Sequence, residues 1–135
     1  MALKFPAAFR TTRAGTVTTR AGNAGLLRIY DGTRAADADT AIGAQVKLAE
    51  LVCGTPFAPG AASGVLTANA ITTSNALATG TAAWFRLTDS AGTTTIMDGS
   101  VTASGGGGDL QLVTLSIVNT QPVQITSFVL TEAGA

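Results

Sequence analysis

Asp31, Asp37 and Asp39 are three of this chain's eight acids and fall within ten residues, in the stretch LLRIYDGTRAADADT. Carboxylates grouped in this way can hold a hard cation such as calcium. Asp37-Ala38-Asp39 opens like a calcium loop, which then needs an oxygen ligand at its fifth position, glycine at the sixth and a bidentate Glu at the twelfth. Those positions hold Ala41, Ile42 and Leu48, and the match fails at each. The plainer reading is a solvated loop in which Asp39 or Thr40 starts the next element.

Other reactive types are few. The chain has no histidine, which removes the usual zinc ligand, the commonest general base and any Ser-His-Asp or Cys-His arrangement. Cys53 is the single cysteine, so no disulfide forms within the chain, and its neighbours Leu51, Val52 and Gly54 suit a buried, inert thiol. Gly105 to Gly108 suggest a phosphate cradle, but such a loop continues into Lys-Ser or Lys-Thr at a helix start. Here Asp109 and Leu110 follow, which reads as a flexible connector into a strand. Eight acids always allow a distant carboxylate pair for glycoside hydrolysis, yet the only local doublet is Asp37 and Asp39. Tyr30 and Trp84 could stack on a sugar or a base; packing against a neighbouring sheet or subunit is the plainer role. These residues point to no catalytic group, no cofactor and no metal.

The totals narrow the class further. A chain of 135 residues fits one domain and buries enough surface to fold without a metal or disulfide. Charged residues are 12%, about half the usual share, and eight basic residues balance eight acids. Nucleic acid as main partner would call for a basic excess. No run of about eighteen apolar residues exists, so no membrane partner is expected. Arg10 and Arg13 interrupt the N-terminal MALKFPAAFRTTRAG, which does not read as a secretion signal.

The elements that must position these residues are mostly strands. LLRIY alternates over residues 26–30, with Leu27 and Ile29 on one face and Arg28 and Tyr30 on the other; Asp31-Gly32 supplies a turn. GVLTANAIT at 64–72 is a second candidate. AAWFRLT at 82–88 is the clearest, with Ala83, Phe85 and Leu87 opposed to Trp84, Arg86 and Thr88. Asp89-Ser90-Ala91-Gly92 reads as a type I turn leading to a strand over 94–98 that Asp98-Gly99 ends. Strands over 110–118 and 123–130 follow, separated by Asn119-Thr120-Gln121-Pro122. AIGAQVKLAELVC, at 41–53, is ambiguous: its propensity favours helix, whereas its neighbours favour strand. Many short strands with glycine-rich turns predict an all-β fold, a β-sandwich of jelly-roll or immunoglobulin-like topology, although the Cys…Trp…Cys spacing of true immunoglobulin domains is absent.

Residues 1–24 read as an extended N-terminal arm, with one short strand near Thr16 to Thr19, and residues 25–135 as the sandwich domain. Lys4, Arg10, Arg13, Arg20 and Arg28 all precede the first acid, among glycines and threonines without sustained period. Either the segment is a disordered terminus, or it orders on a partner. In the second case Phe5 and Phe9 fill pockets while Arg10, Arg13 and Arg20 pair with carboxylates.

From Gly25 onward the chain resembles the small jelly-roll cement, or decoration, proteins of short-tailed bacteriophages. RIYDG, GTAAWFR and MDGSV carry the likeness, which covers about four-fifths of the chain. The resemblance implies strand for residues 45–53. It implies a non-enzymatic virion protein on the capsid exterior, assembled in the host cytoplasm, that binds the major capsid protein and itself, as a dimer in preference to a trimer. The alternative function is a glycan- or receptor-binding module of a phage tail, with Tyr30 or Trp84 as its platform.

Overall fold

The structure, a computed structural model, describes residues 3–134. Among these residues one helix, α1 (Ala7–Ala21), precedes twelve strands. The first six are β1 (Leu26–Tyr30), β2 (Lys47–Val52), β3 (Ala61–Ala62), β4 (Val65–Thr67), β5 (Ser74–Asn75) and β6 (Gly80–Thr81). The others are β7 (Trp84–Thr88), β8 (Thr95–Ala103), β9 (Leu110–Leu112), β10 (Ser116–Ile117), β11 (Pro122–Val123) and β12 (Ile125–Thr131). The all-β expectation holds coarsely: the described residues are mostly β, with one helix.

Eight strands form one sheet in the order β2-β1-β7-β8-β9-β12-β4-β3, while β10 pairs with β6 and β11 with β5 in two small ribbons. The sheet is strongly curled. In a flat sheet β7 and β12 would lie about 14 Å apart, three strand spacings. Instead Phe85 on β7 and Phe128 on β12 meet edge to face with ring centroids 5.0 Å apart. Curling closes one core between the two halves. Leu27, Ile29, Leu51, Phe85 and Leu87 come from one side and Leu66, Leu110, Leu112 and Phe128 from the other, all buried.

Residues 26–30 form the expected strand with Leu27 and Ile29 inward, and Gly92 closes the turn after β7 with φ +73° and its N–H on Asp89 O at 3.0 Å. Within the ambiguous segment, residues 47–52 are strand and 41–46 are irregular: β2 pairs antiparallel with β1, which supplies the ladder that overrides its weak helical preference. The strand after the turn does not stop at Asp98-Gly99 but runs to Ala103. Gly99 stays inside it because the Phe85 ring lies over the site; a β-carbon there would sit 2.5 Å from two ring carbons. The run expected at 110–118 is broken after Leu112, giving β9 and β10.

Two expectations are corrected. The extended arm is a helix from Ala7 to Ala21, docked on the sheet, and the short strand near Thr16 lies within it. Ala14, Val17 and Ala21, spaced by three and four, face the domain, with Ala14 and Ala21 buried. Five threonines and Gly15 give this helix poor intrinsic propensity, so the sheet beneath it must supply much of its stability. Pro6 precedes it and Gly22 ends it at φ +62°, donating to Thr18 O.

The glycine run is likewise no slack connector. β8 and β9 are parallel neighbours, Val101 opposite Leu110, so residues 104–109 must carry the chain back within six residues. Parallel strands ordinarily need a dozen or more. Gly108 N–H donates to Thr102 Oγ1 and Gly105 N–H to Gln111 Oε1, both at 3.0 Å, and Ser104 N–H donates to Leu112 O. A β-carbon on Gly106 or Gly108 would lie 2.7–2.8 Å from Thr102 side-chain atoms, while Gly105 and Gly107 have φ near +80°. Glycine is sterically required here.

Candidate interaction surfaces

Asp31 and Asp37 are engaged within the chain and Cys53 is buried. Asp37 Oδ1 accepts from the N–H groups of Asp39 and Thr40 and from Thr40 Oγ1, at 3.1, 2.8 and 2.8 Å. The Thr40 hydroxyl bond leads in holding its carboxyl below the ordinary range. Asp31 Oδ1 accepts Val46 N–H at 2.7 Å. These acids brace their own loop, and among the described residues no three His, Cys, Asp or Glu side chains are grouped to hold a metal ion. Burial pushes the Cys53 thiol up to about 12.

The sheet face opposite the core carries a row of charge. Glu50, Arg28, Arg86 and Asp98 stand in register across β2, β1, β7 and β8. The two arginines are direct cross-strand neighbours, and each is compensated by the acid on its outer side. Arg86 Nε and Nη2 bind Asp98 Oδ1 and Oδ2 at 2.7 Å each, with both side chains only 7% exposed. Arg28 Nε and Lys47 Nζ share Glu50 Oε2 at 2.7 and 2.9 Å. Trp84 stacks on Tyr30 at 4.8 Å and donates Nε1 to Asp31 O. Trp84 is 1% and Tyr30 5% exposed. The stacking platform considered for sugars is therefore not presented to solvent. These rings pack on each other across β1 and β7 of one sheet, and not against a neighbouring sheet.

The residues expected to meet a partner gather at the start of α1, where they first serve the domain itself. Phe5 N–H donates to Gly134 O at 2.7 Å, and its ring lies 5.3 Å from that of Phe9. Arg13 sits against both rings, at 5.1 and 5.9 Å, and binds Glu132 at 3.1 Å. Arg10 donates to Phe5 O and Ser63 O. Thus Arg10 and Arg13 are spent within the chain. Phe9 is 49% exposed, Leu3 is 70% exposed with its carbonyl near Gly134, and Arg20 is exposed in the last turn. The structure brings Phe5, Phe9, Arg10 and Arg13 together; Arg20 lies at the far end of the helix.

A second surface escaped the sequence reading. Residues 51–85 and 110–131 contain no charged side chain. The fold joins these two stretches, since β5 pairs with β11 and β6 with β10. Here Val113 and Val118 stand half exposed at a groove of about 250 Å³ that Ile117 and Pro122 also line, and Leu77 beyond it is 55% exposed. The signal was legible as a gap in charge, which motif searching passes over. α1 makes its main contacts with β3, β4 and β8.

No helix among the described residues is long and apolar enough to cross a membrane. No family model, curated protein or solved structure matches the chain.

Proposed function

We propose that this chain is a structural protein of a tailed-phage virion that binds the outer capsid surface and clamps neighbouring major capsid subunits. The reading starts from the likeness at RIYDG, GTAAWFR and MDGSV. The two four-stranded halves of the curled sheet, β2-β1-β7-β8 and β9-β12-β4-β3, are taken as the layers of a jelly-roll-type sandwich. The observation that carries the reading is the corner at the start of α1. There the half-exposed ring of Phe9 stands against Phe5 and against Arg13, which binds Glu132. Exposed large apolar side chains held on a fixed base are the anchors from which protein interfaces are built.

Attachment of this kind acts through valency. A copy bound to one subunit is held near the next, so weak contacts combine into a strong clamp, and the shell must break all of them to rupture. The role needs no reactive group, in keeping with acids that brace loops and a buried thiol. Heads purified without the chain supply the test. Adding the wild-type protein should raise the temperature at which they release DNA, whereas Phe9→Asp, with its fold checked by circular dichroism, should restore little of that protection. Equal rupture temperatures with and without the wild-type protein would refute the proposal.

A further inference from the structure

We infer that the gap between β8 and β12, in line with β9, accepts an extended segment of a partner protein that carries a basic residue between two aliphatic ones. β9 lies between β8 and β12 but fills only part of their length. β8 pairs with β7 from Thr95 to Ser100, and with β9 only from Val101 to Ala103. β12 pairs with β9 over Ile125–Phe128 and with β4 over Val129–Thr131. Leu110 faces Val101 and Phe128, so Asp109 before it faces Ser100 and Val129, and Val129 N–H donates to Asp109 O at 3.2 Å. Continuing that register leaves a lane opposite Gly99 and Leu130, then Asp98 and Thr131, then Met97 and Glu132. Among the described residues no strand fills it.

Backbone groups point into this lane from both sides. Ladder bonds alternate along an antiparallel strand. Val101 N–H donates to Ala83 O, so Gly99 and Met97 also turn toward β7, and Asp98 turns its N–H and C=O to the lane. On β12, Phe128 O and Glu132 N–H are taken up by Ala68 and Gly64, which leaves Thr131 turned to the lane as Val129 is. Asp98 agrees with this: its side chain is 7% exposed while the residue as a whole is half-buried, so it shows main chain. Two strand edges facing each other across the width of one strand form a template for an added strand.

The side chains select the occupant. Gly99 lies under the Phe85 ring and Met97 packs on the core, whereas Asp98 is on the opposite face with Arg86. The first and third residues of an added strand therefore point inward, into a cavity of about 160 Å³ walled by Ala14, Val17, Phe85, Met97 and Leu130, which suits aliphatic side chains. The middle residue points outward, across from Asp98 and on the same face as Asp109. Asp98 is neutralised by Arg86 and Glu132 by Arg13, but Asp109 joins no ion pair among the described residues and only accepts from the Ser100 hydroxyl at 3.4 Å. The carboxylate left over favours lysine or arginine in the middle.

A capped peptide, Gly-Ser-Thr-Val-Arg-Val-Thr-Ser-Gly, titrated into the purified full chain and followed by amide NMR tests the inference. It should bind saturably, with the Asp98 and Thr131 amides shifting most and becoming protected from exchange. Glutamate in place of its arginine should weaken binding about tenfold, since attraction becomes repulsion. Methylating the arginine's backbone nitrogen should also cost about tenfold, because a ladder bond is lost. Asp109→Asn should weaken the arginine peptide about threefold at an unchanged melting temperature. Thr131→Pro should abolish binding and still fold, because the N–H it removes faces the lane and not β4. Silent Asp98 and Thr131 amides in the folded wild type overturn the inference, as do equal binding of the arginine and glutamate peptides or full binding to a folded Thr131→Pro. The lane stands independently of the virion reading, and no phage head enters the test.

Discussion

Arg86 and Asp98 form a two-pronged ion pair across β7 and β8, with both contacts at 2.7 Å and both side chains 7% exposed. Next to it, Arg86 faces Arg28 across β1 and β7. Asp98 is therefore what allows a second guanidinium to be buried beside the first, and its hydrogen bond holds the Arg86 pKa above the ordinary value. Asp98→Ala should destabilise the protein by about 3–5 kcal/mol, the cost of leaving a buried charge without its partner. Replacing both residues with apolar side chains of similar volume should cost much less than the sum of the single changes. Urea unfolding of the two single variants and the double variant measures this. Additive losses would show that the pair is not the unit described.

The return loop between β8 and β9 makes a second, steric prediction. Gly108→Ala places a methyl group 2.8 Å from Thr102 Cγ2, and Gly106→Ala places one 2.7 Å from Thr102 Cβ. Each should cost about 1–3 kcal/mol, the usual range for forced overpacking. Thr102→Ser removes the Cγ2 that crowds Gly108 while keeping the hydroxyl that accepts its N–H. It should rescue part of the Gly108 loss and less of the Gly106 loss. Thermal melts of the single and double variants decide between a required geometry and mere slack.

Glu50 sets an acid limb of stability. Partial burial pushes its carboxyl up, but the hydrogen bonds and charges of Lys47 and Arg28 outweigh it and hold the carboxyl below the ordinary value. A depressed folded-state pKa contributes stability that is present above the unfolded-state value, about 4.3, and is lost as pH falls through the folded one. Unfolding free energy should therefore fall as the pH is lowered from about 5. Glu50→Gln should be less stable at neutral pH and show a flatter acid limb. An acid limb of unchanged slope would contradict this role for Glu50.

Cys53 should be silent in the native protein. It is 4% exposed, and burial pushes its thiol up to about 12, so almost no thiolate exists at neutral pH. Ellman's reagent should therefore react only at the rate of unfolding and at full speed in denaturant. Rapid labelling of the folded chain would show that the β2 end opens locally.

Strand positions were legible where the alternation was strong. Leu27, Ile29, Phe85 and Leu87 fall on the core face because period-two patterning and burial agree there. α1 was missed because its buried stripe consists of Ala14, Val17 and Ala21, small residues among threonines. A hydrophobic period is faint when the inward side chains are mostly methyl groups; Pro6 and Gly22 were the better markers. The return loop was misread because four glycines signify freedom in sequence, whereas the crowding by Thr102 exists only after β8 and β9 pair. In the candidate surfaces, the clustering of Phe5, Phe9 and the basic residues was visible, but the use of Arg10 and Arg13 within the chain was not. Their partners, Ser63 O and Glu132, lie 53 and 119 positions away. The uncharged stretches needed no structure to be noticed, only attention to where charge is lacking.

Copy number on purified virions tests the central claim most directly. Quantitative mass spectrometry against the major capsid protein should find this chain in hundreds of copies per particle, in fixed proportion to the capsid lattice. A handful of copies per particle would place it in a tail structure, and its absence from intact heads would contradict the account.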